Sequence, residues 1–424
     1  MKLISKCIFV LIFATMSLPS VSLSMVHTAS SCNSSDVQAK LNIAAAGDTV
    51  SIPAGVCTWT EGVSIGTVGS DAITLQGQGE NLTIINMGFS DVAISVPSGT
   101  SHFRITGIKF NVNQRSWTWG VINVGSSGDR LSFRIDHITI DNAAGVRGFV
   151  VGPGTSRCQP YRLYGLIDHV TVNKSATGGL QGVTVFGYCR DINYTTGLEA
   201  GPNAWTEDDM AGTDKAVYVE DSTFNYGGFG ISDGVYDVYD SGRIVFRHNT
   251  VIGTGPGVHG FDSSLGARWQ EIYENRFYGS IRGWNWRGGG GVVFNNIADS
   301  EAGPNFQVYR ATASYGNKGQ APTAKIDGYP VGGTNYDTYG YPARYQPATG
   351  KNNIPSPIYL WNNTNYTPEV MIGAENFIKL NRDFYVGTPR PGYTPYTYPH
   401  PLSTAIVPPP PITVPAAPSN LHVK

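Results

Sequence analysis

A short phrase recurs through the middle of the chain. Its copies read RIDHITI (Arg134–Ile140), LIDHVTV (Leu166–Val172), YVEDSTF (Tyr218–Phe224), VFRHNTV (Val245–Val251), EIYENRF (Glu271–Phe277) and VVFNNIA (Val292–Ala298). Each is a brief apolar strand with a polar Asp, His or Asn just before its end. Asn249, Asn275 and Asn296 occupy one position of the phrase, 26 and 21 residues apart. A period of roughly 20–30 residues marks a solenoid whose units stack on their neighbours. The strands are rich in Val, Ile, Phe and Tyr and are separated by Gly, Ser and Asn turns. Beyond the first residues, no long stretch carries apolar residues at helical spacing, and 52 glycines count against helix as the main element. Asn side chains stacked one coil apart, about 4.8 Å, can bond amide to amide and satisfy one another inside the coil.

A second stretch adds to the phrase: SSDVQAKLNIAAAGDTVSIPAGVCTWTEGVSI from Ser34, followed by ITLQGQGENLTII from Ile73. With these motifs the chain resembles the right-handed parallel β-helix proteins of the pectin lyase-like superfamily, over Cys32 to Ala298. The resemblance implies an all-β, single-stranded, right-handed parallel β-helix with a short N-terminal capping helix and a C-terminal wrap. Asp36 is expected to N-cap that helix, with Val37, Leu41 and Ala44 inward and Gly47 at its end. Such a cap closes an open sheet edge. The superfamily includes lyases, hydrolases, esterases, tailspikes and adhesins, so it implies a fold and leaves the chemistry open.

Met1–Ser24 reads as a secretory signal: Lys2 and Lys6, then the apolar CIFVLIFATM, then small residues near Ser22 and Ser24. The apolar run is short for a membrane span, and Cys7 falls inside it. The other four cysteines suit an exported chain with two disulfides, expected as Cys32–Cys57 and Cys158–Cys189. Their scattered spacing does not match a zinc site. A net charge of −2 with 14% charged residues argues against nucleic acid or a membrane surface as partner. We expect a secreted or cell-surface monomer whose partner is an extracellular polysaccharide. The solenoid domain is expected over 25–400, with a long excursion near 301–357. IYLWNN (Ile358–Asn363) reads as a further rung, and 401–424 as a Pro-rich disordered tail.

Ionisable residues are densest between Trp205 and Arg287. β-Elimination of an acidic glycan needs a base for the proton α to the uronate carboxylate and a cation for its developing charge. His259 and Arg268 are the candidates. The His-Gly pair with a downstream Arg and the strand after it resembles phrases of alginate and chondroitin-B lyases. Those enzymes pair a lysine with the arginine, and Lys174 and Lys215 stand in unmatched contexts. Calcium is a conceivable cofactor, with oxygens from Asp208, Asp209 and Asp214. Glycoside hydrolysis would draw instead on Asp208, Asp209, Asp233, Asp237 and Asp240. The polygalacturonase pattern fails, because Gly257 sits one place too early and Arg-x-Lys is missing, which leaves tailspike-type hydrolases. A non-catalytic glycan-binding or adhesin-like surface protein is the third reading.

Trp205, Asp237, Asp262, Trp284, Trp286 and Arg287 are the expected substrate contacts. Against these readings, His137, His169 and His248 share one phrase position, which suits a structural row. Arg134, Arg243 and Arg247 can neutralise stacked acids on exposed strand faces. Trp284 and Trp286 alternate on one strand, and one face of both can pack against the long excursion after Glu301. The reading favoured overall is a secreted polysaccharide lyase acting on an acidic glycan.

Overall fold

Alternate residues of each phrase point inward, which makes it a rung. Ile135, Ile138 and Ile140 are fully buried, as are Ile167, Val170 and Val172 in the next coil. Asp136, Asp168, Glu220, Arg247, Tyr273, Phe294 and Trp361 lie in parallel register from coil to coil. The computed structural model describes residues 24–66, 72–97, 102–112, 119–125, 129–143, 145–152, 162–174, 181–187, 192–193, 198–199, 208–227, 234–239, 242–257, 267–279, 281–306, 325–326, 329–330, 347–351, 354–370 and 378–404.

Each coil has three faces. The first face is a six-stranded sheet running from Val63–Ser64 to Tyr236–Tyr239. The second and third merge into one 22-stranded sheet, because strands such as Phe103–Val112 and Arg130–Asp141 turn the corner between them. The chain is a parallel β-helix with an apolar core along its axis.

The corner from second to third face is built the same way in seven coils. His137, His169, Asp221, His248, Glu274, Asn295 and Asn362 all adopt a left-handed backbone, with φ between +51° and +58°. Each such non-glycine residue costs about 1–2 kcal/mol. The internal Asn ladder lies directly after this corner and offsets the cost. Asn249 Nδ2 donates to Asn275 Oδ1 at 3.1 Å, Asn275 to Asn296 at 2.9 Å, and Asn296 to Asn363 at 2.9 Å. The same carbonyl oxygens accept the backbone N–H of the preceding coil's residue, starting with Ser222 N to Asn249 Oδ1. The expected ladder is present and gains a fourth member, Asn363, from the rung Ile358–Trp361.

The N-terminal helix runs Ser34–Leu41, so it starts before Asp36. Asn33 is its N-cap, and Asp36 sits in the first turn accepting from Ser31 Oγ. Val37 and Leu41 are buried as expected, and Ala44 packs on the core beyond the helix end. The helix closes the sheet edge directly. Gln38 Oε1 accepts from Ser64 N at 2.7 Å while its Nε2 donates to Ser64 O at 3.2 Å, as a neighbouring strand would. Cys32–Cys57 is bonded, tying helix to first coil. Cys158, Cys189 and the leader up to residue 23 lie outside the described residues. No helix among the described residues is long and apolar enough to cross a membrane.

Two boundaries differ from expectation. Glu301–Phe306 stays in the solenoid as the end of the strand Ile297–Phe306, because it pairs with Ile281–Trp286. Pro401–Thr404 is a short helix docked on the solenoid, with Ser403 O accepting from Arg134 Nη1 at 3.0 Å. It ends a strap that leaves the last rung, Phe384–Val386, and runs back over the outer side of the second face. Its Tyr393, Tyr396 and Leu402 pack on Leu166, Tyr218, Trp269, Tyr273 and Phe294. That strap corrects the placing of Arg134 and Arg247. Both do neutralise acids, Asp168 and Glu220, but on a covered face.

His400 of the strap, 4% exposed, packs its ring at a tilt on Tyr218, with centres 4.7 Å apart. Burial and the neighbouring Arg247 charge bring its pKa down from 6.5 to about 4. The fold therefore favours the neutral imidazole. Its contribution is complete above the unfolded value of 6.5 and is lost as pH falls toward 4. Between about pH 7 and about pH 4.5, wild type is expected to lose about 2 kcal/mol more than His400→Gln. Urea unfolding of both proteins at the two pH values checks this, and equal losses would refute it.

Candidate functional site

Three distant segments meet at one edge of the second face. The loop 208–215 precedes the strand Val217–Glu220, and an Asx turn shapes it, Ala211 N donating to Asp209 Oδ1 at 3.2 Å. Gly212 (φ +65°) follows, where a Cβ would stand 2.0 Å from Thr394 O of the strap, so no other residue fits. The return of the excursion, Pro347–Pro357, is held by Ala348 N donating to Gly289 O and by the bridge Thr349 to Pro355. The third segment is the start of the strap at Arg390.

Between them lies a cleft of about 450 Å³, lined by Asp208, Asp209, Arg268, Lys351, Tyr359 and Arg390 among others. Arg390 Nη2 donates to Asp209 Oδ2 at 2.7 Å, and its guanidinium lies 4.3 Å from the Trp269 ring centre. Lys351 Nζ sits 3.3 Å from Asp208 Oδ1. Arg243 Nη2 donates to Asp208 O at 3.0 Å. Behind this layer, Glu271 accepts from Trp269 Nε1, Gly212 N and Tyr393 Oη.

Three cations, Arg268, Lys351 and Arg390, thus line the cleft with Asp208 and Asp209. Burial raises the Asp209 carboxyl, but Arg390, the Ala211 N–H and Arg268 together outweigh it and hold the group below the usual carboxylate range. Burial, with the like charge of Arg243, draws Arg268 down to about 10, and it remains cationic at neutral pH. Burial, with the adjacent Tyr385, raises the Tyr359 phenol, which stays protonated as a donor. A recess lined by Arg268, Lys351 and Arg390 suits an acidic group of a ligand.

No protein-family model matches the chain. No curated protein matches it either.

Of the expected site residues, Arg268 lines the cleft. His259, Asp262 and Trp205 lie outside the described residues, as do Asp233 and Asp240. The four other expected substrate contacts do not reach the cleft. Trp284 (6% exposed) packs on Phe277 and Tyr366, and Trp286 (2%) on Phe306, so both indoles are core. Asp237 is fully buried, accepting from Gln181, and Arg287 is buried as well. Asp208, Asp209 and Asp214 each pair with a cation, Lys351, Arg390 and Lys215, rather than with one another. Among the described residues no group of three or more His, Cys, Asp or Glu is arranged to hold a metal ion. Sequence reading missed Lys351, Tyr359 and Arg390. Nothing local marks them, and only their convergence on Arg268 does.

Proposed function

We propose that this cleft binds the carboxylate of an acidic extracellular polysaccharide and that the chain is a lyase of the pectin lyase-like kind. The observation that carries the reading is the convergence of Arg268, Lys351 and Arg390 on one recess that Tyr359 also lines. The fold supplies the substrate class by analogy alone. In the elimination a base removes the proton α to the uronate carboxylate. That electron pair becomes a carbon–carbon double bond as the glycosidic C–O bond breaks, and the leaving oxygen takes a proton. In this reading Arg268 and Arg390 offset the negative charge that builds on the carboxylate, and the Tyr359 hydroxyl donates a proton to the leaving oxygen. His259, nine residues before Arg268, is assigned as base on sequence grounds.

The test is incubation with alginate, pectate and chondroitin, with and without calcium, following unsaturated-uronate absorbance and reducing ends together. Arg268→Ala is expected to lower kcat/KM by roughly 10²–10³-fold, and Lys351→Ala, a surface change, by about tenfold. Reducing ends without absorbance would replace the lyase by a hydrolase. Glycan retention without any product would leave a binding protein.

A further inference from the structure

The strand Val26–Thr28 lies at the N-terminal edge of the solenoid and, among the described residues, pairs only with Thr49–Ser51. Its apolar side chains bury little. Met25 is 58% exposed and Val26 39%, and the first buried apolar residue is Ala29. A terminal strand with so little apolar burial frays unless something ties it down. The tie is at Met25. Its N–H donates to Asp48 Oδ1 at 2.8 Å, and its carbonyl accepts from Thr49 N at 2.8 Å.

Asp48 is buried, and its other oxygen accepts from Ala45 N at 2.8 Å and lies 2.9 Å from His27 Nε2. Burial raises its carboxyl, but the Ala45 and Met25 N–H groups and His27 outweigh it, so the group is ionised at neutral pH. Among the described residues no lysine or arginine pairs with it. A buried carboxylate ordinarily has a cation as partner.

The backbone itself can supply one. Ser22 and Ser24 are the third and first residues before Met25, the small-x-small pattern of a leader cleavage site. In that cleavage water adds across the Ser24–Met25 amide and the C–N bond breaks. Ser24 leaves as a carboxylate, and the Met25 nitrogen takes up protons to become an ammonium. We infer that the chain is cut between Ser24 and Met25, and that the new Met25 ammonium forms an ion pair with Asp48 that locks the first strand onto the solenoid. The nitrogen already stands 2.8 Å from the carboxylate, so the pair forms in place. A hydrogen bond charged on both sides is roughly twice as strong as a neutral one. A chain starting at Ser24 carries its ammonium one residue past the carboxylate, beside Gly47. One starting at Val26 lacks the nitrogen altogether. The cut depends on the leader reading of Met1–Ser24, whereas the lock depends on the Met25–Asp48 geometry alone.

The two parts are tested separately. The full chain is expressed with its own leader in a secreting host, and mass spectrometry reads the first residue of the exported product. Met25 is expected, and an uncut chain or any other first residue overturns the cut. For the lock, chains beginning at Met25 or at Ser24 are released from a removable tag, and a third carries Met25 with an acetylated α-amine. Hydrogen exchange of the amides from Val26 to Ala29 is expected to be about tenfold faster in the acetylated and Ser24 chains than in the free Met25 chain. In Asp48→Asn the difference between free and acetylated chains should vanish. Acetylation alters no side chain, so that comparison stands even where Asp48→Asn fails to fold. Equal exchange in the free and acetylated chains overturns the lock, as does a difference that persists in folded Asp48→Asn.

Discussion

Arg247→Met is expected to cost about 3–5 kcal/mol of stability and to release the C-terminal strap. The guanidinium is fully buried and is the node where solenoid and strap meet. It donates to Glu220 Oε2 at 2.6 Å, to the Tyr273 hydroxyl at 2.9 Å, and to the Tyr396 and Thr397 carbonyls at 2.8 Å each. It also lies against the rings of Tyr218, Tyr273 and Tyr398. Methionine keeps much of the volume but leaves the Glu220 carboxylate buried without its cation. Burial already raises that carboxyl above its ordinary range with Arg247 present. Most of the penalty therefore belongs to the stranded charge, and Arg247→Met/Glu220→Gln should recover a good part of it. Urea unfolding measures the loss, and chymotrypsin cleavage after Tyr393 or Tyr396 reports the freed strap. A single variant within about 1 kcal/mol of wild type, or a double variant no better than the single, would refute this account.

Asn275→Ala should be nearly as damaging, about 3–4 kcal/mol. Its Oδ1 accepts from both the backbone and the side chain of Asn249, and its Nδ2 reaches Phe246 O and Asn296 Oδ1. Alanine leaves buried N–H and C=O groups of two coils without partners, each at about 1–3 kcal/mol. Asn363→Ala, at the half-exposed end of the ladder, should cost less than half as much. Calorimetry on the two variants gives the comparison, and equal losses would show that the ladder is not what holds the corner.

The rungs were legible because inward residues must alternate and because identical side chains stack. Asn249, Asn275 and Asn296 announced the ladder, and IYLWNN announced the rung that extends it. Cys32–Cys57 followed from an even cysteine count beside a capping helix. The outer surface was not legible in the same way. Arg247 and Tyr396 are 149 residues apart, and no local pattern links them. Without the strap, Arg134 and Arg247 read as surface residues. Trp284 and Trp286 drew attention as flat aromatic faces, yet two residues of one strand, i and i+2, point the same way, and here that way is inward. The cleft depends on an excursion's return and on the strap, whose paths the repeat does not set.

A stack of coils is ordinarily held only by neighbour-to-neighbour contacts, so its ends can fray one rung at a time. The strap changes that. It joins the last rung first to Asp209 and then to Arg247, Glu220 and Arg134, the last three in coils progressively nearer the N-terminal end. Peeling the terminal coil therefore requires breaking contacts several coils away, and the array melts as one cooperative unit rather than a zipper. The strap is also the last of the described segments to be synthesised. The growing solenoid thus stays loosely coupled until its final turn is made, and is locked only then.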